Sequence, residues 1–271
     1  MISLSEIDKA SERFKVPAEV IEKDYVICWV LNFLSMCKIK EHFVFYGGTA
    51  IKRVYFEDHR FSEDIDLMSP NQFQRDELTE ELESVFRRAK KDVNITLTIN
   101  QKRIISDGSR IQIFADYDAY EEIAGSPKEI RIDFSMGIQN YGKIQKRKMI
   151  ASYSDLKNMQ GTLQVLELNT ILADKLGLLM DSTRREPRDL FDIAFLLTRL
   201  GQFDFNVHEV RGVFREKYGY EISLDVLKPH LENRVYKERW EMRLRKQIAD
   251  LPDIENVIAA IEKKLAAVLH H

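Results

Sequence analysis

Phe43-Val44-Phe45-Tyr46-Gly47-Gly48-Thr49-Ala50, followed by Ser62-Glu63-Asp64-Ile65-Asp66-Leu67, reads as a buried strand, a glycine turn opening a helix, and a second strand bearing two carboxylates. Paired glycines let the backbone turn tightly and come close to a ligand. The N–H groups of a helix beginning near Thr49 would point at an anion, most naturally a phosphate. On a strand, residues two apart share a face, so Asp64 and Asp66 project together while Ile65 and Leu67 turn to the core. Two adjacent carboxylates repel unless a cation lies between them, and hard oxygen ligands favour magnesium. The combination points to nucleotide chemistry.

Taken singly, Asp-x-Asp is ordinarily a solvated strand face or a turn, and Gly-Gly says less still. Their order says more: apolar strand, Gly-Gly-Thr, short amphipathic helix, then Arg60-x-Ser62-x-Asp64-x-Asp66-Leu67. This string resembles the opening signature of the DNA polymerase β-like nucleotidyltransferases. More closely it resembles the AbiEii/AbiGii toxin family, whose relatives include the MenT-type tRNA nucleotidyltransferase toxins. Two departures from the wider superfamily are visible. Gly48-Thr49 stands where a Gly-Ser pair is usual, a variant the toxin family itself favours. The spacer to Asp64 is also longer than in many polymerase-like members. Neither removes a required functional group.

With 271 residues the chain can bury a substantial core as one large domain or two small ones. It is 44% hydrophobic and 31% charged with only 11 Gly and 6 Pro, which argues against disorder and repeats. A net charge of -3 gives no global attraction to nucleic acid, so any such binding needs a local basic patch. Cys28 and Cys37 lie in an apolar helical stretch without metal spacing and read as reduced thiols. No signal-peptide pattern opens the chain and no apolar run would span a bilayer, so a cytoplasmic protein with no membrane partner is expected. His270-His271 reads as the stub of a purification tag and is assigned no role.

Along the chain, 4–15 and 18–36 read as helices, Pro17 opening the second. Glu22-Lys23-Asp24-Tyr25 resembles the toxin family's N-terminal helix text, and its charges are expected on the helix surface. A helix over 49–56 buries Ile51, Val54 and Tyr55 and leaves Lys52 and Arg53 to solvent or a phosphate. Residues 72–91 form an acidic-then-basic helix whose charge order complements its dipole. Val93 to Ile99 alternates as a half-buried strand, and Asp107-Gly108 reads as a hairpin turn. In Glu129-Ile130-Arg131-Ile132-Asp133-Phe134, Asp133 falls opposite the apolar face, as an exposed strand carboxylate. From about residue 165 the chain turns helical, with further helices at 207–218, 223–249 and 254–268. Lys175 sits amid Leu172, Leu176 and Leu179, where a charge is expensive unless paired. Asp189 and Asp192 open the next helix, and a buried Lys–Asp pair is one reading. Arg234, Lys237, Arg239, Arg243, Arg245 and Lys246 make 234–246 densely basic, with Tyr236 and Trp240 interleaved. Such a run is usually a solvated helix face.

The family resemblance extends through "AxKL" at Lys175 and "RDxxD" at Asp189 and Asp192, covering roughly residues 20–200. It implies an α+β fold: a polymerase β-like nucleotidyltransferase domain with a mixed sheet at 1–160, and a helical bundle at 161–271 completing an active-site cleft. It implies transfer of a nucleoside monophosphate from an NTP to an acceptor hydroxyl, with two Mg²⁺ held by Asp64, Asp66 and Asp133. Asp116 and Asp118 match the third position less well. Gly47, Gly48 and Thr49, with Arg60 and Ser62, would bind phosphates. Lys175 would neutralise triphosphate charge, and Asp192 (or Asp189) would position that lysine or the acceptor. The acceptor implied is a tRNA 3′ end, the basic 234–246 helix its phosphate contact, and a cognate antitoxin protein a partner. Two alternatives remain at this stage: a small-molecule or protein nucleotidyltransferase, and an inactive nucleotide-binding module.

Overall fold

The computed structural model describes residues 1–123, 128–158, 161–181 and 183–269. His270 and His271 lie outside the described residues. The chain forms two compact units, Met1–Gln139 with Ile144–Val165, and Asn140–Lys143 with Leu166–His271.

The first unit opens with α1 (Leu4–Phe14) and α2 (Ala18–Leu34). Ser3 caps α1 by accepting from the Glu6 N–H, and Lys15 ends it in the left-handed region. α2 is buried nearly all round from Ile21 to Leu34, as a helix packed against α1, a long helix and the sheet must be. After β1 (Val44–Tyr46) comes the short α3 (Gly47–Ala50), which widens into a π-turn over Ile51–Tyr55. β2 (Asp64–Met68) leads to α4 (Arg75–Val93), which Asn94 ends in the left-handed region. Helix therefore runs through Val93, and β3 begins only at Thr96 and ends at Ile99. β4 (Ile105–Ser106) and β5 (Arg110–Asp118) close the expected hairpin, Asp107 accepting from the Ser109 and Arg110 N–H groups. β6 (Glu129–Ser135), β7 (Ile144–Lys148) and β8 (Thr162–Leu166) complete a mixed sheet in the order β3-β5-β6-β2-β1-β8-β7, with β4 on β5. β1 runs antiparallel to β2 and parallel to β8, and β2 runs parallel to β6.

Several expectations change here. Thr162–Leu166 is a strand; Glu167 is still extended, and the helix begins only at Leu168. Alternate burial of Leu163 and Val165 carries the strand signal, masked by the leucines that follow. The charges of Glu22 and Asp24 are buried rather than superficial, and so are Lys52 and Arg53, each 1% exposed. Arg53 pairs with Asp24 at 3.2 Å and donates to Ser152 Oγ and Cys28 Sγ, while the Tyr153 hydroxyl donates to Asp24 at 2.6 Å. Burial pushes the Cys28 thiol up to about 12, so it stays protonated beside Arg53. Lys52 Nζ donates to the Glu57 and His59 carbonyls and lies 3.8 Å from the Phe61 ring centroid. Glu22 accepts from Lys128 Nζ and the Tyr120 N–H. The π-turn widens the helix where these two long cations must turn inward. They are structural and do not meet a phosphate.

The second unit is helical: α5 (Leu168–Leu178), α6 (Pro187–Thr198), α7 (Val207–Tyr218), α8 (Leu224–Leu231), α9 (Arg234–Leu244) and α10 (Ile254–Leu269). α5 packs on α6 and α7, and α6 on α9 and α10. Pro187 opens α6, and Gly219 ends α7 in the left-handed region. The long helix expected over 223–249 is two, because Asn233 starts a new cap by accepting from the Val235 N–H. Among the described residues no helix is long and apolar enough to cross a membrane.

Candidate active site

The glycine turn sits where β1 ends. Gly47 adopts φ +79, a region that side chains with a Cβ avoid, and a Cβ there would overlap Asp66 Oδ2. A Cβ on Gly48 would stand 2.7 Å from Arg60 Nη2 and 3.5 Å from Ser62 Oγ. The turn is thus packed against the carboxylate strand on one side and Arg60 on the other, and neither position has room for a side chain. Thr49 is buried, and its hydroxyl donates to the Asp64 main-chain carbonyl, tying the start of the helix to β2. That bond commits its proton to the scaffold. Arg60 is buried and donates to the Phe61 carbonyl at 3.1 Å. The structure therefore brings Gly47, Gly48, Thr49, Arg60, Ser62, Asp64 and Asp66 to one place.

Asp133 joins them through sheet register. β2 and β6 run in parallel with Asp66 opposite Asp133 and Asp64 opposite Arg131, so the three carboxylates share one face across two neighbouring strands. Asp133 is not the exposed carboxylate that strand alternation suggests: it is 1% exposed. Arg110 Nη2 and Gln112 Nε2, both from β5, donate to it at 2.8 Å. Arg131 stands between two of the carboxylates, with Nη2 2.6 Å from Asp64 Oδ2 and Nε 3.3 Å from Asp133 Oδ2. Tyr46, opposite Asp66 on β1, completes the face; burial, then the nearby Asp66 charge, pushes its hydroxyl well above the ordinary range. Arg110, Gln112, Arg131 and Tyr46 escape a reading by motif. Their only signal is position: Arg131 shares a face with Asp133, and Arg110 and Gln112 alternate on the paired strand.

In this arrangement Asp64 and Asp133 turn to arginines, and among the described residues no three His, Cys, Asp or Glu side chains converge as metal ligands. The donor set nonetheless fits a hard divalent ion. All its groups are carboxylate oxygens, crowded on one face, and a cationic guanidinium already bridges two of them.

In the helical unit, Lys175 of α5 is buried between two carboxylates of α6, with Nζ 2.7 Å from Asp189 Oδ1 and 2.8 Å from Asp192 Oδ2. Arg184 Nε adds a contact to Asp189 Oδ2 at 2.9 Å. Burial would raise the Asp189 carboxyl, but Lys175 and Arg184 outweigh it and hold the group below the usual carboxylate range. The lysine thus serves both aspartates at once. Elsewhere in this unit, the basic run on α9 is largely compensated: Arg234 meets Glu238, Lys237 meets Glu255, Arg243 meets Glu186 and Arg245 meets Glu241. Tyr236 and Trp240 are buried and cannot stack on bases. The interleaved aromatics are core, not a nucleic-acid platform.

A family model described as "Nucleotidyl transferase AbiEii toxin, Type IV TA system" matches residues 30–267. Among solved structures, MenT4, a nucleotidyltransferase toxin from Mycobacterium tuberculosis, superposes with a TM-score of 0.71 at 15% identity, covering 100% of this chain and 91% of that one. JHP933 from Helicobacter pylori superposes with a TM-score of 0.62 at 14% identity, covering 93% of each chain. No curated protein sequence matches the chain.

Proposed function

Because the chain belongs to the AbiEii family of nucleotidyltransferase toxins of type IV toxin–antitoxin systems, we propose that it transfers a nucleoside monophosphate from an NTP to the terminal hydroxyl of a tRNA, releasing pyrophosphate. The observation that carries the reading is the placement of Asp64, Asp66 and Asp133 on one sheet face against the Gly47-Gly48 turn. A turn without side chains lets a triphosphate approach the backbone beside a crowded set of carboxylates.

Asp64, Asp66 and Asp133 would hold two Mg²⁺ ions, which when bound supply charge stabilisation to the attacking and leaving oxygens. The protein's own part is placement. Gly47 and Gly48 would offer their N–H groups to the β- and γ-phosphates, Thr49 holds the turn to β2, and Ser62 and Arg60 lie against the same turn. Arg131 and Arg110 hold and orient Asp133 in its buried setting. Asp133 then accepts the proton of the acceptor hydroxyl as its oxygen bonds to the α-phosphorus and the bond to pyrophosphate breaks. Lys175, its position set by Asp189 and Asp192, is the helical unit's own candidate for binding the nucleotide. A cognate antitoxin is the partner such a toxin needs.

Incubating the protein with Mg²⁺, total tRNA and each α-³²P NTP in turn tests this. RNA labelled by one or more nucleotides, with pyrophosphate formed in equal amount, is the expected result. Label on a protein or a small molecule, and on no RNA, would overturn the tRNA assignment.

A further inference from the structure

A polyanion can bind a protein of net charge -3 only where positive charge is segregated. On α9 it is not segregated, since carboxylates from the same helix and its neighbours meet the cations. A segregated run of charge lies on β7, where Ile144-Gln145-Lys146-Arg147-Lys148 forms the outer strand of the sheet. Lys146, Arg147 and Lys148 are all exposed. Among the described residues, the carboxylate paired with this strand is Glu41, 2.9 Å from Lys146 Nζ. That pair lies in the open and leaves the patch strongly positive, because Glu41 stands on a turn that also carries Lys38 and Lys40.

We propose that β7 is the docking edge for the phosphate backbone of the RNA acceptor. The inference rests on the reading of RNA as acceptor given above. Three features favour RNA over other anionic partners. Alternation sends Lys146 and Lys148 to one face of the strand and Arg147 to the other, so the cations flank an edge instead of forming a flat pad. As the sheet's last strand, β7 offers main-chain N–H groups that a phosphate oxygen can take alongside the side-chain charges. The strand is also joined to the site: Arg147 lies 5.0 Å from the Tyr55 ring centroid, Gln145 donates to the Tyr55 hydroxyl, and the Ile150 N–H donates to the Arg53 carbonyl. Tyr55 and Arg53 belong to the π-turn directly after Gly47-Gly48-Thr49. Two strand spacings, about 10 Å, separate β7 from β1, whose end carries that turn. The carboxylate face on β2 and β6 lies three and four strand spacings from β7, about 14 to 19 Å, so a chain of phosphates on β7 spans to it in two or three nucleotides.

The test measures fluorescein-labelled bulk tRNA binding by anisotropy across a salt series, for the wild type, K146E/R147E/K148E and the charge-neutral K146Q/R147Q/K148Q. The reversal should weaken binding at least tenfold, the neutral variant should fall between, and both should flatten the slope of log K against log salt by about 2. Binding of NTP should be unchanged in both. Equal tRNA affinity in the neutral variant, with wild-type labelling of tRNA intact, would overturn the β7 assignment and leave the acceptor reading standing. A wild type that neither binds nor labels tRNA would overturn both. Loss of binding to phosphatidylserine vesicles with tRNA binding preserved would assign the edge to a membrane surface and overturn the proposal. Self-association of the variants with unchanged tRNA affinity would reduce the lysines to guards against edge-to-edge pairing, with the same consequence.

Discussion

At the scale of single residues, the face shared by Asp64, Asp66 and Asp133 is a balance of like charges and the guanidiniums of Arg110 and Arg131. Removing one negative charge relieves repulsion, so Asp66→Asn should fold at least as well as the parent. The same change removes an oxygen donor from the proposed metal set, and transfer should fall at least a hundredfold, about 2.7 kcal/mol in the barrier. Melting temperature and labelled-nucleotide transfer, measured on one preparation, check the two halves of that statement. A normal rate would sink the proposed mechanism. Asp133 behaves differently from its sequence appearance because the residues that bury it come from other parts of the chain. Alternation in Glu129–Phe134 correctly puts it opposite Ile130, Ile132 and Phe134, but says nothing of Arg110 and Gln112 arriving from β5.

At the scale of elements, two buried ion-paired clusters tie separate elements together, one of them the Lys–Asp pairing that the sequence offers as a reading. Arg53 with Asp24 links the π-turn to α2, and Arg53→Met would leave Asp24 buried without its counter-charge. A loss of about 3–5 kcal/mol in unfolding free energy is expected, read from a urea titration. The double variant Arg53→Met/Asp24→Leu should recover a large part of it, since no uncompensated charge then remains. Lys175 with Asp189 and Asp192 joins α5 to α6 in the same way. Lys175→Ala should therefore lower stability by a similar amount as well as impair NTP binding, in contrast to a lysine standing freely at a cleft. Lys175→Met/Asp192→Asn separates the roles: it should regain stability while transfer stays low. Recovery of transfer together with stability would assign Lys175 to the scaffold alone.

At the scale of the whole molecule, the buried cations make stability depend on pH above neutrality. Burial, then the Arg53 charge, pushes the Lys52 amine down to about 7. The unfolded chain keeps a proton on this amine up to about pH 10.4, while the folded chain releases it near 7. Between those values the unfolded state binds more protons, so stability rises with pH, by at most about 1.4 kcal/mol per unit. Urea midpoints at pH 7 and pH 9 should show that rise in the wild type and a smaller one in Lys52→Met. An identical pH response in the two proteins would show that Lys52 keeps its proton when folded.

Local spacing is enough to give the glycine turn, the Asp-x-Asp strand, the hairpin at Asp107-Gly108 and most helix cores. Paired glycines that can turn tightly and carboxylates two apart on a strand carry their geometry in the chain itself. Family text at Lys175, Asp189 and Asp192 likewise named groups that the fold brings together. Tertiary structure alone decided which charges are buried. Lys52, Arg53, Glu22 and Asp24 look like surface residues because partner identity depends on strands and helices far away in sequence. β8 passed for a helix start because a strand of five residues is stabilised by its neighbours β1 and β7, not by its own pattern. The positive edge on β7 became visible for the same reason: a run of cations acquires meaning only when the fold shows which carboxylates reach it.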